Sequence, residues 1–228
     1  MKHLLGTQAS GALLNHPVAQ FEIGNYKNFV YLILDWDQKK AAIIDPQSDL
    51  SEPLSVIQKH GFKLESILLT HTHSDHTAGV PQLLREHSDI KVYVHCQDTH
   101  RLPLHLFGPG QQTLVTHDQT IQIGDLRVKV LHTPGHSAGE CCYFLEAEPP
   151  YLFTGDTIFI RDCGRTDLES GSNEEMFKSL QRVRALPKET IILPGHHYKP
   201  ECSSTLGKEI QESPPFQCKT VKELAALP

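Results

Sequence analysis

Short apolar runs separated by polar turns predict the first elements of the chain. Phe29 to Leu34 is apolar and rich in strand-forming residues, and Ala41 to Ile44 is a second apolar run. The polar stretch Asp35 to Lys40 separates the two runs, and Pro46 follows the second. Apolar runs of this length between turn residues favour β-strands, so we expect a β-hairpin here.

Helix signals occur where capping residues flank longer segments of mixed polarity. Ser51 to His60 is predicted to be a helix, with Ser51 at its N-cap and Gly61 at its C-terminal cap. Asn173 to Ala185 is a second such segment, with Asn173 as the expected N-cap. Three further segments are predicted to be helical: Val80 to His87, Thr205 to Gln211 and Thr220 to Leu227.

Strands alternate with these helices along the rest of the chain. Residues 102–117 contain prolines and glycines and are predicted to form a long loop. The alternation predicts an α/β fold in which helices cover sheets, with polar motifs in the loops after strands. The further predicted strands are Ser66 to Leu69, Lys91 to His95, Leu126 to Leu131, Cys141 to Leu145, Tyr151 to Phe153 and Thr190 to Leu193.

Composition and charge narrow the classes of function. The net charge of −6 is spread along the chain without a basic block, so we expect no nucleic-acid partner. No apolar stretch approaches the about 18 residues that a membrane span needs. Met1 to His16 makes a poor signal peptide, which favours a cytoplasmic location. The 6 cysteines lack C-x-x-C spacing and are expected to be free thiols.

Histidines change this picture, because the chain has 15 of them and several are clustered. The run His71-Thr72-His73-Ser74-Asp75-His76 follows a predicted strand. In an extended segment His71 and His73 point the same way, and the chain then turns towards a helix. Imidazole and carboxylate groups together suit divalent metal ions. A polar turn with solvated histidines is the alternative explanation for this run taken alone.

Three later loops each add one candidate ligand after a strand and beside a glycine. His136 follows Pro134-Gly135, Asp156 follows Thr154-Gly155, and His196 follows Pro194-Gly195. A lone histidine or aspartate is usually structural or solvated, so each motif is weak by itself. Their occurrence in this order makes a metal centre the stronger hypothesis.

The order H-x-H-x-D-H, then His, then T-G-D, then P-G-H resembles the metallo-β-lactamase-fold superfamily. The resemblance implies a four-layer αββα sandwich, with residues 1–228 as one domain and a short C-terminal extension from about residue 199. It also implies two divalent ions, Zn or Fe, at one edge of the sheets. The implied assignments are site one, His71, His73 and His136; site two, Asp75, His76 and His196; a bridge between them, Asp156; and a supporting residue, His197.

Two such ions can activate a water molecule to hydroxide and polarise a carbonyl group, with Asp75 and Asp156 as the expected catalytic residues. A thiolate leaves without much proton help, because a thiol has a pKa of about 8.5. Thioester hydrolysis is therefore favoured over amide hydrolysis. The segments Asn28 to Ile33, Ala41 to Pro46 and Phe153 to Phe159 look like glyoxalase II, which hydrolyses S-acyl-glutathione.

This resemblance implies a small, glutathione-linked substrate whose carboxylate Arg165 could bind. Tyr198 follows the His pair and could hydrogen-bond the substrate. A solvated arginine and a tyrosine with its hydroxyl at the surface are the alternative explanations. Arg165 stands where glyoxalase II has lysine, and Asp167 stands where it has tyrosine. Only about 30 residues follow His197, so we expect no counterpart of the helical C-terminal domain of glyoxalase II. The substrate-contacting part of the site therefore departs from the glyoxalase II pattern.

A second resemblance leads to different chemistry. Ile160 to Asp167 is similar to the I-R-G-C-G-R-T-D of the persulfide dioxygenase branch. That branch implies a single Fe(II) on His71, His136 and Asp156, which oxidises glutathione persulfide to sulfite with O₂. A binding module without catalysis is the third alternative, and it is disfavoured because every ligand position is filled.

Overall fold

The computed structural model describes residues 15–227, and these form two large sheets covered by helices. The signal-peptide expectation concerns residues that lie almost entirely outside this range. The first sheet has six strands in chain order: β1 (Val18–Ile23), β2 (Asn28–Asp35), β3 (Lys40–Ile44), β4 (Lys63–Leu68), β5 (Lys91–His95) and β6 (Gln112–Val115). The second sheet has six strands in this spatial order: β14 (Ser204–Thr205), β13 (Ile191–Pro194), β10 (Tyr151–Gly155), β9 (Cys141–Leu145), β8 (Leu126–His132) and β7 (Thr120–Ile123).

A small two-stranded sheet and seven α-helices complete residues 15–227. The small sheet consists of β11 (Ile158–Phe159) and β12 (Asp162–Cys163). The helices are α1 (Ser51–His60), α2 (Ser74–Thr77), α3 (Val80–Glu86), α4 (Asn173–Arg184), α5 (Leu206–Glu212), α6 (Pro214–Gln217) and α7 (Val221–Ala225). Two 3-10 segments cover Cys96–Arg101 and Leu104–Leu106. The described helices include none that is long and apolar enough to span a membrane.

The predicted hairpin is confirmed, because β2 and β3 pair antiparallel with Leu34 opposite Ala41. The prediction of a loop across residues 102–117 is wrong in part, since β6 lies within it as the last strand of the first sheet. Two helix caps also lie one residue earlier than predicted. Leu50 precedes α1 without a side-chain cap, and Ser172 caps α4 by accepting a hydrogen bond from the Glu175 amide.

Three separate apolar cores show that the layers are stacked as predicted. Alternate residues of β2 face opposite sides, as the period of a strand requires: Leu32 packs in a core shared with α1 and α3, whereas Tyr31 packs between the two sheets. On the outer side of the second sheet, Leu152 packs with Leu180 of α4 and Phe216 of α6. The order helix, sheet, sheet, helix is the αββα sandwich.

The candidate ligands lie in loops at one edge of this sandwich. The His-rich run follows β4, and the loop between β8 and β9 carries His136. Asp156 follows β10, and His196 follows β13, its parallel neighbour. Because β10 and β13 are parallel, their carboxyl ends meet at the same edge of the sheet, which brings these two side chains together.

Candidate metal centre

The His-rich run forms the part of the site that belongs to the first sheet. His71 leaves β4 in a fully buried position, and His73 has extended backbone immediately before α2. Asp75 and His76 lie within the short helix α2, and the His76 ring lies 4.1 Å from that of His71. His73 and Asp75 are half-buried, so this part of the site is open to solvent.

Two glycines let the loops of the second sheet approach this run. Gly155 has a left-handed φ of 48°, and a side chain there would collide with Thr70 and Glu140. A side chain on Gly195 would collide with the Asp156 carboxylate. The T-G-D and P-G-H motifs therefore need glycine at these positions so that the ligand beside each can reach the centre.

Cluster one consists of His71, His73 and His136. Each of the three has a ligand atom within 4.8 Å of the others. The His136 Nε2 lies 3.0 Å from the His73 Nδ1, and the His71 ring is nearly perpendicular to both neighbouring rings, at 90° and 88°. The three nitrogens thus converge on a common point, as metal ligands do.

Cluster two consists of Asp75, His76 and His196, which likewise lie within 4.8 Å of one another. The Nε2 atoms of His76 and His196 are 3.1 Å apart. The Asp75 Oδ2 is 3.6 Å from the first of these nitrogens and 3.5 Å from the second. A third group within the same distance, Asp45, His71 and His76, was not predicted from the sequence.

Asp156 lies between the two clusters. Its Oδ2 is 3.6 Å from the His136 Nε2, and its Oδ1 is 3.5 Å from the His76 Nε2. The same Oδ2 is 3.5 Å from the His196 Nε2. One carboxylate therefore faces ligands of both clusters, which is the arrangement that a bridging ligand requires.

Oxygen acceptors fix the other ring nitrogen of several ligands. The His76 Nδ1 donates to the Asp45 Oδ2 at 3.0 Å. The His136 Nδ1 donates to the Arg165 carbonyl at 2.8 Å, and the His196 Nδ1 donates to the Tyr26 carbonyl at 2.9 Å. Such bonds orient a ring and leave its Nε2 turned to the centre.

His71 is supported by buried side chains instead. Its Nδ1 lies 3.1 Å from the Thr70 Oγ1, which itself donates to Asp45, and 3.4 Å from the Glu140 Oε2. Glu140 is fully buried, and burial together with the nearby Asp156 raises the pKa of its carboxyl well above the usual value. Asp45 thus supports one histidine of each cluster.

The electrostatics of the centre favour positive charge at cluster two. Burial alone lowers the pKa of His76, but the carboxylates of Asp156 and Asp45 outweigh it and raise this pKa to about 9. Burial alone raises the pKa of Asp156, but the charge of His76 outweighs it and holds this pKa well below the usual value. Without a metal ion, His76 is therefore protonated at neutral pH.

Cluster one has the opposite character. Burial, together with the charge of His76, lowers the pKa of His71 well below the usual value, so this ring is neutral. Its buried Nε2 has no hydrogen-bond partner among residues 15–227, and neither has the buried Oδ1 of Asp156. A buried lone pair without a donor is costly unless a cation satisfies it. These donors therefore fit divalent ions.

The predicted substrate residues lie at the mouth of a cavity of about 600 Å³ beside His136 and Asp156. Arg165 lines this cavity, but both nitrogens of its fork donate to the Asp167 carboxylate, at 2.6 and 2.7 Å. Tyr198 is 55% exposed and its ring stacks on His196 at 4.8 Å.

His197 makes its contacts away from the metal ligands. Its Nδ1 donates to the Glu22 Oε2 at 2.6 Å, and its ring lies 5.0 Å from that of Phe29. Sequence reasoning gave it a supporting role near the centre, and these contacts support the loop that carries His196.

Three residues of the centre escaped the sequence analysis. Asp45 and Glu140 are single carboxylates, and nothing in their local sequence distinguishes them from solvated residues. Asn28 donates from its Nδ2 to the Asp75 Oδ2 at 3.0 Å, although the two are far apart in the chain. The position of Asp45 at the end of a buried strand, beside the strand that leads to His71, was the one available signal.

Comparisons with known proteins agree with this geometry. Residues 24–196 match the model of the metallo-beta-lactamase superfamily, so the chain belongs to that superfamily. The hydroxyacylglutathione hydrolase of Enterobacter sp. (strain 638) is 36% identical over 171 residues, which are 75% of this chain and 62% of that protein. This chain therefore spans less than two thirds of that relative's length.

Solved structures extend the similarity over most of the chain. ETHE1 from Myxococcus xanthus has a TM-score of 0.78 at 28% identity, over 92% of each chain. TTHA1623, solved in a di-iron-bound form, has a TM-score of 0.69 at 29% identity, over 86% of this chain and 98% of that one. The chain is thus a metallo-β-lactamase-fold enzyme with a divalent-metal centre.

Proposed function

We propose that the chain is a dinuclear metallohydrolase that cleaves thioesters of the S-acyl-glutathione class. Cluster two carries this proposal, because Asp75, His76 and His196 bring ligand atoms within 4.8 Å of one another. The Asp156 carboxylate lies 3.5 Å from the Nε2 atoms of both histidines, so this second set of donors suits a second divalent ion. Similarity to a hydroxyacylglutathione hydrolase and to a protein with two irons supports the same conclusion.

Two divalent ions held by these clusters would supply a water nucleophile at neutral pH and would polarise the carbonyl to be attacked. Asp156 faces both clusters and is placed to hold both ions. Asp75, the half-buried carboxylate of cluster two, is placed to accept a hydrogen bond from the attacking water. These are the two carboxylates to which we assign catalytic roles.

The pKa of the leaving group determines whether the site suits a thioester or an amide substrate. A thiol has a pKa of about 8.5, so its anion leaves without a general acid. Burial, together with Asp156 and Asp75, raises the pKa of Tyr198 to about 12. Its hydroxyl therefore stays protonated and can donate a hydrogen bond to the substrate, but it is too weak an acid to be matched to an amine.

The cavity favours a small substrate with one anionic group. Its volume of about 600 Å³ lies within the range of small-molecule sites. Phe159 and Leu224 give it an apolar wall, and Arg165 supplies a cation at the mouth. A substrate carboxylate that binds Arg165 must share or displace Asp167, which holds the fork in this structure.

A second candidate is a persulfide dioxygenase with one Fe(II) on His71, His136 and Asp156. The specific observation in its favour is the structural similarity to ETHE1, which represents the persulfide dioxygenases, with a TM-score of 0.78 at 28% identity. In that case cluster two would keep its proton in place of a metal ion.

Metal analysis of protein purified without added metal tests the proposal. We expect two ions per chain and hydrolysis of S-lactoylglutathione. His76→Ala should then hold one ion and lose most of the activity, because it removes a ligand of cluster two only. One iron per chain, unchanged in His76→Ala, together with O₂ uptake on glutathione persulfide, would establish the dioxygenase instead.

A further inference from the structure

The hairpin between β1 and β2, residues 22–29, is fastened to the loop that carries His196. The Phe29 amide donates to the Gly195 carbonyl at 2.8 Å, and the His197 amide donates to the Lys27 carbonyl at 2.9 Å. The His197 Nδ1 donates to the Glu22 Oε2 at 2.6 Å. Each segment donates hydrogen bonds to the other, and these bonds fix the position of the hairpin relative to the loop.

The same hairpin reaches every ligand of cluster two. The Tyr26 carbonyl accepts from the His196 Nδ1 at 2.9 Å. The Asn28 Nδ2 donates to the Asp75 Oδ2 at 3.0 Å and lies 3.4 Å from the His76 Nε2. The hydrogen bonds described for Tyr26 and Asn28 within residues 15–227 reach ligands of cluster two and none of cluster one. The hairpin therefore acts on one of the two clusters.

The buried amide of Asn28 lowers the stability of the fold, and packing alone does not explain why an asparagine lies here. The residue is 1% exposed, and its Oδ1 has no hydrogen-bond partner among the described residues. A buried acceptor without a donor destabilises a fold, and a leucine of similar size would avoid this loss. The benefit of the amide must then lie on its other side, where the Nδ2 meets Asp75.

We propose that Asn28 is a positioning residue that holds the Asp75 carboxylate towards the second metal ion, and that it thereby sets whether the chain binds one ion or two. The inference rests on the proposed dinuclear function. Asp75 is half-buried on a one-turn helix, so its side chain has other rotamers open to solvent. The amide of Asn28 restricts it to the rotamer that faces His76 and His196.

The test measures the two binding constants of Zn²⁺ separately, by titrating the metal-free protein against a chromophoric chelator. Asn28→Leu removes the amide but keeps a branched side chain with the same number of heavy atoms, and Asn28→Ala removes both the amide and the branch. In each variant we expect the second Zn²⁺ to bind about 10- to 100-fold more weakly and the first to bind as in the wild type, since outer-sphere partners have effects of this size. Asn25→Ala is the matched control, because it removes an exposed amide from the same hairpin.

The melting temperature of the metal-free protein separates positioning from folding. Asn28→Leu should melt close to the wild type, because relief of the unpaired Oδ1 offsets the loss of the hydrogen bond to Asp75. Equal weakening of both Zn²⁺ sites would show that Asn28 only maintains the fold, and would overturn the proposal. If both variants bind the second Zn²⁺ as tightly as the wild type does, the role of Asn28 is overturned and the dinuclear function stays intact. A wild-type chain that binds only one Zn²⁺ would overturn both.

Discussion

At His76, the protonation of the ring and the binding of a metal ion depend on each other. Asp45 holds its Nδ1, and its Nε2 faces His196 across 3.1 Å. Without metal this ring keeps a proton up to a pH of about 9, because the carboxylates of Asp156 and Asp45 outweigh the effect of burial. A metal ion and a proton therefore compete for the same nitrogen.

This competition predicts a pH dependence of the second metal ion. Because the pKa of about 9 is raised in the folded metal-free protein, His76 is charged below it and must lose its proton to bind metal. The second affinity should rise about tenfold per pH unit between pH 7 and 9 and then level off. Calorimetry at pH 7.5 in buffers of different ionisation enthalpy should detect about one proton released with the second ion. Proton release of zero at that step would contradict the assignment.

Arg165 allows a prediction about substrate binding. Its fork holds the Asp167 carboxylate, mainly through their side-chain hydrogen bonds, and keeps the pKa of Asp167 at about 2. Asp167→Asn weakens this pair and should lower KM for an anionic thioester by about 2- to 5-fold, the size of an exposed ion pair. Arg165→Ala should raise KM by about tenfold, since about 1.5 kcal/mol is lost with a charge-assisted hydrogen bond.

Two observations control this experiment. The backbone carbonyl of Arg165 supports His136, so the alanine variant should keep its metal content. Arg165→Lys should recover part of the loss, because the charge remains without the fork geometry. An unchanged KM in both Arg165→Ala and Asp167→Asn would show that this pair does not take part in substrate binding.

The ligands could be found in the sequence because their residue types and spacings are rare, whereas their supports could not. Asp45 supports His76 because β3 pairs in parallel with β4, which places Ile44 opposite Leu68. The contact between Asn28 and Asp75 similarly depends on how the hairpin between β1 and β2 approaches helix α2. Such contacts form only in the tertiary structure, so they cannot be predicted from the sequence around each residue.

At the scale of elements, helix α4 is fastened to the loop that carries His136. The Ser172 amide donates to the Gly135 carbonyl at 2.8 Å, and the Ser172 side chain accepts from the Glu175 amide. Gly135 has no room for a side chain because the Met176 backbone lies against it. The start of the helix therefore sets the position of this loop.

Ser172→Ala should lower the free energy of unfolding by about 1 kcal/mol, because it removes the N-cap of α4. For a chain of this size the melting temperature should fall by about 2–4 °C. Asn173, the cap predicted from the sequence, instead accepts a hydrogen bond from the Thr166 hydroxyl. Asn173→Ala should leave the N-cap intact, and chemical denaturation of both variants compares them. A larger loss of unfolding free energy in Asn173→Ala than in Ser172→Ala would show that Asn173 is the N-cap.

Elements with strong local signals were predicted well, and edge strands were not. β2, β3 and β9 are continuous apolar runs, and Gly61 ends α1 in the left-handed conformation that the sequence predicted. β6 has one buried residue, Val115, and follows a segment rich in proline and glycine. An edge strand of this kind is stabilised by pairing with β5, which its own composition does not reveal.

At the scale of the whole molecule, the metal centre joins the two sheets. His71, His73, Asp75 and His76 follow a strand of the first sheet, whereas His136, Asp156 and His196 follow strands of the second. Between the sheets, the Tyr31 hydroxyl donates to the Pro194 carbonyl at 2.6 Å, close to the loop of His196. Ions held by both sets of ligands would therefore connect the two sheets at this edge of the sandwich.

Removal of metal should therefore destabilise the whole chain. An ion present at 100 times its dissociation constant stabilises the folded state by about 2.7 kcal/mol, because the unfolded chain does not assemble the ligands. At this size that corresponds to about 5–10 °C in melting temperature for each ion. Calorimetry with and without EDTA should show this loss, and added Zn²⁺ should reverse it. In His76→Ala the EDTA effect should be about half as large, since one ion remains between the sheets through cluster one. A melting temperature that EDTA does not change, in protein shown to contain metal beforehand, would mean that the ligands do not connect the layers.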